Sequence, residues 1–469
     1  LAPIAVLVIV NLPALRWPKK LAYPSALFLF AAQTLLAVFS PKALIYAGET
    51  SFLSLKIRAD ALSVLSLASI GLVLFVVALS GRVFFRDRQV RPDFASLLLV
   101  ALAGMNAAVL ATDLFSLYVF IEVVAITSYL LIAFDKKSPA MAAAFQYLAL
   151  SALATTLLLG GVAIAILSAG TTSLDGIYAA SQRTGSSGLL THLALALFGA
   201  GLLIKSGLVP FHGWLPAAYS KAPAPVSVLL AGIVTKISGV YMLFRVVLSA
   251  FGFQPWFREV LLLFGAISIV AGAVAAIGEN DFKKMLAYSS ISQVGYIVVG
   301  LGCATPIALA GAAFHFFNHA VFKALLFVNA ASIENRASTT DMRELGGLSE
   351  RMPFTGATCV VGLLSAAGIP PLAGFWSKLM ILGGLWYAGY HGYAIVALGG
   401  SLLTLGYFLI MQKKVFFGKI KDGLGGLGEV GRTLCISQAL LASVTIASGI
   451  FFPWVLQTLV LPIGTLMVK

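Results

Sequence analysis

Seven ionisable side chains lie in stretches of sequence that offer them almost no polar company. Lys205 and Lys236 fall in apolar helical runs of GAGLLIKSGLVPFHGWLPAAYSKAPAPVSVLLAGIVTKISGVYMLFRV, separated by a proline-dense segment that carries His212 and Lys221. Glu122 is the one charge in LFSLYVFIEVVAITSYLLIAF, and nearly all other acids fall in loops or at segment ends. His315, His319 and Lys323 follow at steps of four in FHFFNHAVFK, so they share one helical face. Lys378 follows the helix-breaking set Gly368, Pro370, Pro371 and Gly374 in LLSAAGIPPLAGFWSKLMILGGLW. The chemistry open to Glu, Lys and His in apolar surroundings is proton transfer. Ionisable groups at membrane depth are costly and usually face a bundle interior or a hydrated cavity.

Each group has a plainer reading. A lysine can thread its stem to the interface. Glu122 can stay protonated among hydroxyls, or find a cation. Lys205 is the partner expected for Glu122, because both lack a local one. Two histidines four apart can also ligate zinc, but with no Glu or Cys beside them and Lys323 next in line, a proton relay fits the spacing better. Purely structural hydrogen bonding by the two histidines stays open.

Composition dictates the elements that carry these residues. Of 469 residues, 60% are hydrophobic and 10% charged, against about a quarter charged in soluble domains. The runs are long and continuous, not alternating, so the chain reads as an all-α polytopic membrane protein and not a membrane barrel. Fourteen segments are expected, beginning near Leu1, Tyr23, Ala59, Phe94, Leu114, Pro139, Leu189, Ala222, Trp256, Lys284, Pro306, Phe354, Tyr390 and Arg432. With alternate loops on opposite sides, twenty Lys and Arg fall on one side, among them Arg82, Lys283, Arg343 and Lys413, and six on the other. The basic side is expected to be cytoplasmic, which leaves both termini outside the cell membrane.

The net charge of +14 is spread over short loops, which argues against nucleic acid as partner. Cys303, Cys359 and Cys435 have no disulfide or metal spacing. No dinucleotide fingerprint, phosphate-binding loop or haem motif occurs, so no cofactor or metal is expected and a redox enzyme in its own right is the least favoured class. A lysine beside a helix break occurs twice, once in each half, which is the sequence mark of an inverted-repeat transporter. The polar loop IENRASTTDMRELGGLSERMP could dock a partner subunit or serve as a solvated hinge.

Four stretches in order, KSGLVPFHGWLPAAYSKAPAPVSVLLAGIVTK, KKMLAYSSISQVGY, FHFFNHAVFKALLF and AGIPPLAGFWSK, resemble the antiporter-like subunits shared by respiratory complex I, Mrp-type cation/proton antiporters and energy-converting membrane hydrogenases. The resemblance implies fourteen helices, with helices 4–8 and 9–13 as inverted repeats and helices 7 and 12 broken. It divides the chain into residues 1–93 (helices 1–3), 94–250 and 251–420 (the repeats) and 421–469 (helix 14). By motif, Glu122 and Lys205 resemble the charge pair of the first half-channel and Lys236 the central lysine. His315, His319 and Lys323 resemble the connecting residues and Lys378 the terminal one.

Many relatives have an Asp after WLP, whereas this chain reads WLPAAYSK, with Ala217 there and Lys221 nearby, and His212 and Lys221 are accessory candidates. The chain ends soon after the fourteenth segment, so the long lateral helix of one complex I subunit is not expected. The function implied is translocation of protons, or of Na⁺ against H⁺, beside other integral membrane subunits. A non-conducting scaffold subunit and a solitary secondary transporter are the alternatives.

Overall fold

The computed structural model describes residues 21–46, 50–52, 55–87, 89–184 and 188–464. Among them, twelve helices are long and apolar enough to cross a membrane, from Ala22–Phe39 to Arg432–Ile450. The helices Pro353–Ala367 and Ala373–Tyr387, of 15 residues each, follow one another. The chain is an all-α polytopic membrane protein, as a bilayer demands of apolar runs that satisfy their backbone bonds internally. The segment expected near Leu1 lies outside the described residues, as do Arg88 and Lys469. Three short pieces had no long apolar run to announce them: the hairpin of Thr50–Phe52 and Leu55–Ile57, the helix Leu174–Thr184, and the turns from Phe452 to Gly464.

The same run of features occurs twice, 168 residues apart. Asp113 caps the helix Leu114–Ile132 by accepting from Ser116 N at 2.8 Å, and Asp281 caps Phe282–Cys303 by accepting from Lys284 N at 2.8 Å. Each cap sits in an isolated antiparallel bridge, Asp113 with Ser173 and Asp281 with Asp341. Between the two ends of that bridge, each unit has a 32-residue helix, Ser138–Ala169 and Pro306–Ala337, starting 168 residues apart. At about 1.5 Å per residue, 32 residues reach well beyond a hydrocarbon core of about 30 Å.

Each unit next has a helix ended by a glycine in the left-handed region. Leu189–Ser206 stops at Gly207 (φ 67°), and Pro353–Ala367 stops at Gly368 (φ 84°). A left-handed residue closes the last turn where a side chain would be strained. Proline follows both, at Pro210 and at Pro370–Pro371, and helix resumes at Trp214–Lys221 and Ala373–Tyr387. After the first of these runs comes Ala224–Phe251, buried along almost its whole length and mostly apolar, with Lys236 and Arg245 inside it.

Candidate functional site

Lys205 lies in the last turn before the Gly207 break, and its ammonium is directed inward. Its Nζ donates to Glu122 Oε1 at 2.9 Å and to Ser151 Oγ at 3.1 Å. Thr155, one turn beyond Ser151 on the Ser138–Ala169 helix, donates to the same carboxylate oxygen at 2.6 Å. Three helices therefore converge on one ion pair. The Lys205 side chain is 4% exposed and that of Glu122 25%, because Glu122 lies on a face carrying the exposed Phe115, Val119, Ile126 and Leu130.

Lys236 belongs to a stretch wound more widely than an α-helix, with π-helical turns at Leu230–Val234 and Lys236–Tyr241. Such turns open the carbonyl ladder, and the Lys236 ammonium donates to the carbonyl of Ala231, five residues back. One turn on, Gly239 meets the end of the Lys205 helix. A Cβ there would lie 2.4 Å from Ser206 Oγ and 2.6 Å from Ser206 Cα. Only glycine permits that approach, which brings the turn of Lys236 against the residue next to Lys205. With relative exposures of 5% and 1%, Lys205 and Lys236 do not thread their stems to an interface.

The Pro306–Ala337 helix presents His315, His319 and Lys323 on a single buried face. The two imidazoles are parallel with centroids 6.3 Å apart. His315 Nδ1 shares a hydrogen with Ser377 Oγ at 2.9 Å, while His315 Nε2 and both ring nitrogens of His319 have no hydrogen-bond partner among the described residues. Lys323 donates to Leu286 O at 3.0 Å and to Ser289. Both histidines and Lys323 lie within electrostatic reach of Lys236 and of Lys378. Gln293 Oε1 and Tyr407 OH are further buried polar atoms without a partner among the described residues. Such atoms are the donors and acceptors that a chain of buried water bonds to.

Lys378 sits just past the second break. Its Nζ donates to Ala366 O at 2.8 Å and to Ser401 Oγ at 3.2 Å, and lies 4.3 Å from the centroid of the Tyr296 ring. The accessory residues stand apart. His212 is partly buried beside Tyr288, with ring centroids 6.4 Å apart and Nδ1 unpartnered among the described residues. Lys221 is exposed at the C-terminal end of its helix.

One charged cluster has no counterpart among the residues that the sequence singles out. Arg245, nine residues after Lys236, donates to Asp60 Oδ1 at 2.8 Å, Ser63 Oγ at 2.7 Å and Tyr241 OH at 2.6 Å. Asp60 precedes the membrane helix Ala61–Phe84 and caps it through Ser63 N at 2.9 Å. Burial alone would push the Asp60 carboxyl up, but the Arg245 guanidinium and the Ser63 hydrogen bonds hold it well below the usual carboxylate range. The signal that could have found it was an arginine inside the apolar run Ala224–Phe251, the same run that holds Lys236.

A many-spanning helical bundle with buried lysines and histidines is the architecture of an integral membrane subunit, and comparison with known proteins places it more closely. The family model described as NADH:quinone oxidoreductase/Mrp antiporter, TM, matches residues 111–404. The chain is 35% identical over 321 residues to a Na(+)/H(+) antiporter subunit of Alkalihalophilus pseudofirmus, covering 68% of this chain and 65% of that relative. It is 31% identical over 411 residues to a NADH-quinone oxidoreductase subunit of Erythrobacter litoralis, covering 87% and 82%. A chain of the Mrp complex from Dietzia sp. DQ12-45-1b superposes with a TM-score of 0.90 at 26% identity, covering 100% of this chain and 96% of that one. The chain belongs to the NADH:quinone oxidoreductase/Mrp antiporter transmembrane family. It spans less than two thirds of the length of the antiporter relative.

Proposed function

We propose that this chain is a proton-translocating subunit of a multisubunit membrane complex, with Na⁺/H⁺ exchange as the form closest to its antiporter relative. The observation that carries the reading is the Glu122–Lys205 pair at 2.9 Å, held where the Lys205 helix is interrupted. The carboxylate stabilises the Lys205 ammonium. At an effective dielectric of 20, two charges 4 Å apart interact by about 4 kcal/mol. Separating the pair withdraws that stabilisation, and the proton moves toward Lys236. From there the file runs along the face of His315, His319 and Lys323 to Lys378, with water bonded to the unpartnered ring nitrogens completing it.

The repeated caps, bridges and 32-residue helices support residues 94–250 and 251–420 as repeats of five spans within a fourteen-helix chain whose helices 7 and 12 are broken. An odd number of spans inverts the second repeat, so the two interrupted helices enter from opposite sides and meet the file from both. With the basic loops cytoplasmic, both termini lie outside. The scaffold reading is favoured only if transport survives neutralisation of the file. Proton and sodium flux in vesicles holding the native complex decides this. Glu122→Gln at matched assembly is expected to lower proton flux by about a hundredfold, and wild-type flux in that variant counts against the relay.

A further inference from the structure

A second charged feature lies far from the file, at the end of the helix His391–Val415 on the side of the basic loops. Arg343, Lys413, Lys414, Lys419 and Lys421 line an open cleft of about 680 Å³ whose walls contain no acid among the described residues. Backbone bonds build it. Gly347 N donates to Phe417 O at 3.1 Å, Leu348 N to Val415 O at 3.3 Å and Ser349 N to Phe416 O at 3.0 Å. Gly347 is left-handed (φ 66°), and a Cβ on it would lie 2.6 Å from Ile420 N, so the two loops press together only because glycine stands there.

Three of the five cations are anchored. Arg343 pairs with Asp341 at 2.6 Å, Lys414 donates to Asn280 Oδ1 at 2.9 Å, and Lys421 donates to the carbonyl of Arg343. The Lys413 and Lys419 side chains are exposed and make no hydrogen bond or ion pair among the described residues.

The cleft continues into an apolar strip. Ile395, Leu402 and Leu409 are spaced by seven, share one helical face and are 62%, 69% and 54% exposed. Gly399 and Gly406 lie between them with open space where a side chain would be. Lys413 follows Leu409 by one turn, and the exposed Phe417 flanks the cleft. An acidic protein segment would match the cations but not a strip of leucines leading along a membrane helix.

We propose that the cleft binds the headgroup of an anionic phospholipid, one acyl chain of which lies along Ile395, Leu402 and Leu409. The positive charge favours a lipid with two phosphodiesters over one. This inference does not depend on the proton relay.

The full chain is purified and delipidated, and lipid binding is measured by native mass spectrometry with cardiolipin, phosphatidylglycerol, phosphatidylcholine, inorganic phosphate and a polyglutamate peptide as probes. Cardiolipin is expected to bind best and phosphatidylcholine and free phosphate weakly. Lys413→Gln/Lys419→Gln/Lys421→Gln is expected to weaken cardiolipin by about a hundredfold, from the attraction of each cation to an anionic headgroup. Unchanged cardiolipin binding in that variant, equal binding of phosphatidylcholine, or displacement by phosphate or polyglutamate at equal concentration overturns the proposal. If the triple variant fails to fold, the exposed Lys419→Gln alone and a salt series on the wild-type chain decide. Binding of cardiolipin that is unaffected by Lys419→Gln and by salt at 1 M, where screening acts within about 3 Å, also overturns it.

Discussion

The two interrupted helices hold their lysines in opposite electrostatic settings. Lys205 has a carboxylate at 2.9 Å and two hydroxyl-bearing neighbours, Ser151 and Thr155, around the pair. Lys378 has a carbonyl, one hydroxyl and the face of Tyr296, with no acid in contact among the described residues. The backbone plan is shared, with a left-handed glycine, then proline, then a resumed helix. The lysines stand on opposite sides of their breaks, Lys205 in the last turn before Gly207 and Lys378 in the helix that resumes after Gly368, and the packed side chains fix whether each charge is matched. In the first unit the acid is partly exposed, on a face with Phe115, Val119, Ile126 and Leu130. The second unit keeps its lysine in a neutral cage whose charge no adjacent acid balances.

Erasing that difference has the largest expected effect. Glu122→Gln gives Lys205 the neutral surroundings of Lys378, and proton flux in vesicles is expected to fall by about a hundredfold. That is the partly screened part of a Coulomb interaction of about 4 kcal/mol. Thr155→Val, which removes one donor to the carboxylate, serves as the milder companion, at about tenfold.

The Asp60–Arg245 pair offers a contrast with the file, since it is a charge match that nothing in the geometry needs to break. Arg245→Met leaves Asp60 without its counter-charge, and thermal unfolding in detergent is expected to show a loss of about 2 kcal/mol, discounted for the 24% exposure of the Asp60 side chain. Because the folded carboxyl titrates below its unfolded value of about 3.9, this stability is present above that pH and disappears as pH falls through the folded value. Wild type and variant should therefore converge on acidification, and a difference that holds constant from neutral pH to about pH 3 contradicts the assignment.

Gly239→Ala forces the Lys236 helix away from Ser206, at a cost of about 1–2 kcal/mol and with reduced flux. An alanine variant with wild-type stability and flux would show that the close approach is not required. The smallest effect is expected from Ser401→Asp, which gives Lys378 the acid it lacks and makes the second unit resemble the first. Flux should slow severalfold as the lysine charge is pinned, and an unaltered rate would mean that Lys378 lies outside the path.

Much of this site was legible in the sequence because charge is scarce in it. Glu122 and Lys205 could be paired from the lack of other partners, and the His315, His319 and Lys323 face follows from spacing alone. The glycine and proline runs marked both interruptions. Serine and threonine carried no such signal, since hydroxyls are common in apolar helices and nothing in the chain distinguishes Ser151, Ser377 or Ser401 from the rest. The bond between Arg245 and Asp60 joins residues 185 apart in sequence, and the basic cleft joins Arg343 to lysines some 70 residues later. Long-range pairings of that kind are set by tertiary packing and not by any local pattern.

Lys236 follows the Lys205 break in the chain, and the proposed relay passes charge through it on the way to the His315, His319 and Lys323 face. Proton flux in vesicles holding the intact complex with Lys236→Ala, with assembly checked by subunit composition, is therefore the decisive experiment. Flux is expected to fall below about a tenth of wild type while the complex stays whole. Wild-type flux in an intact Lys236→Ala complex would contradict the relay.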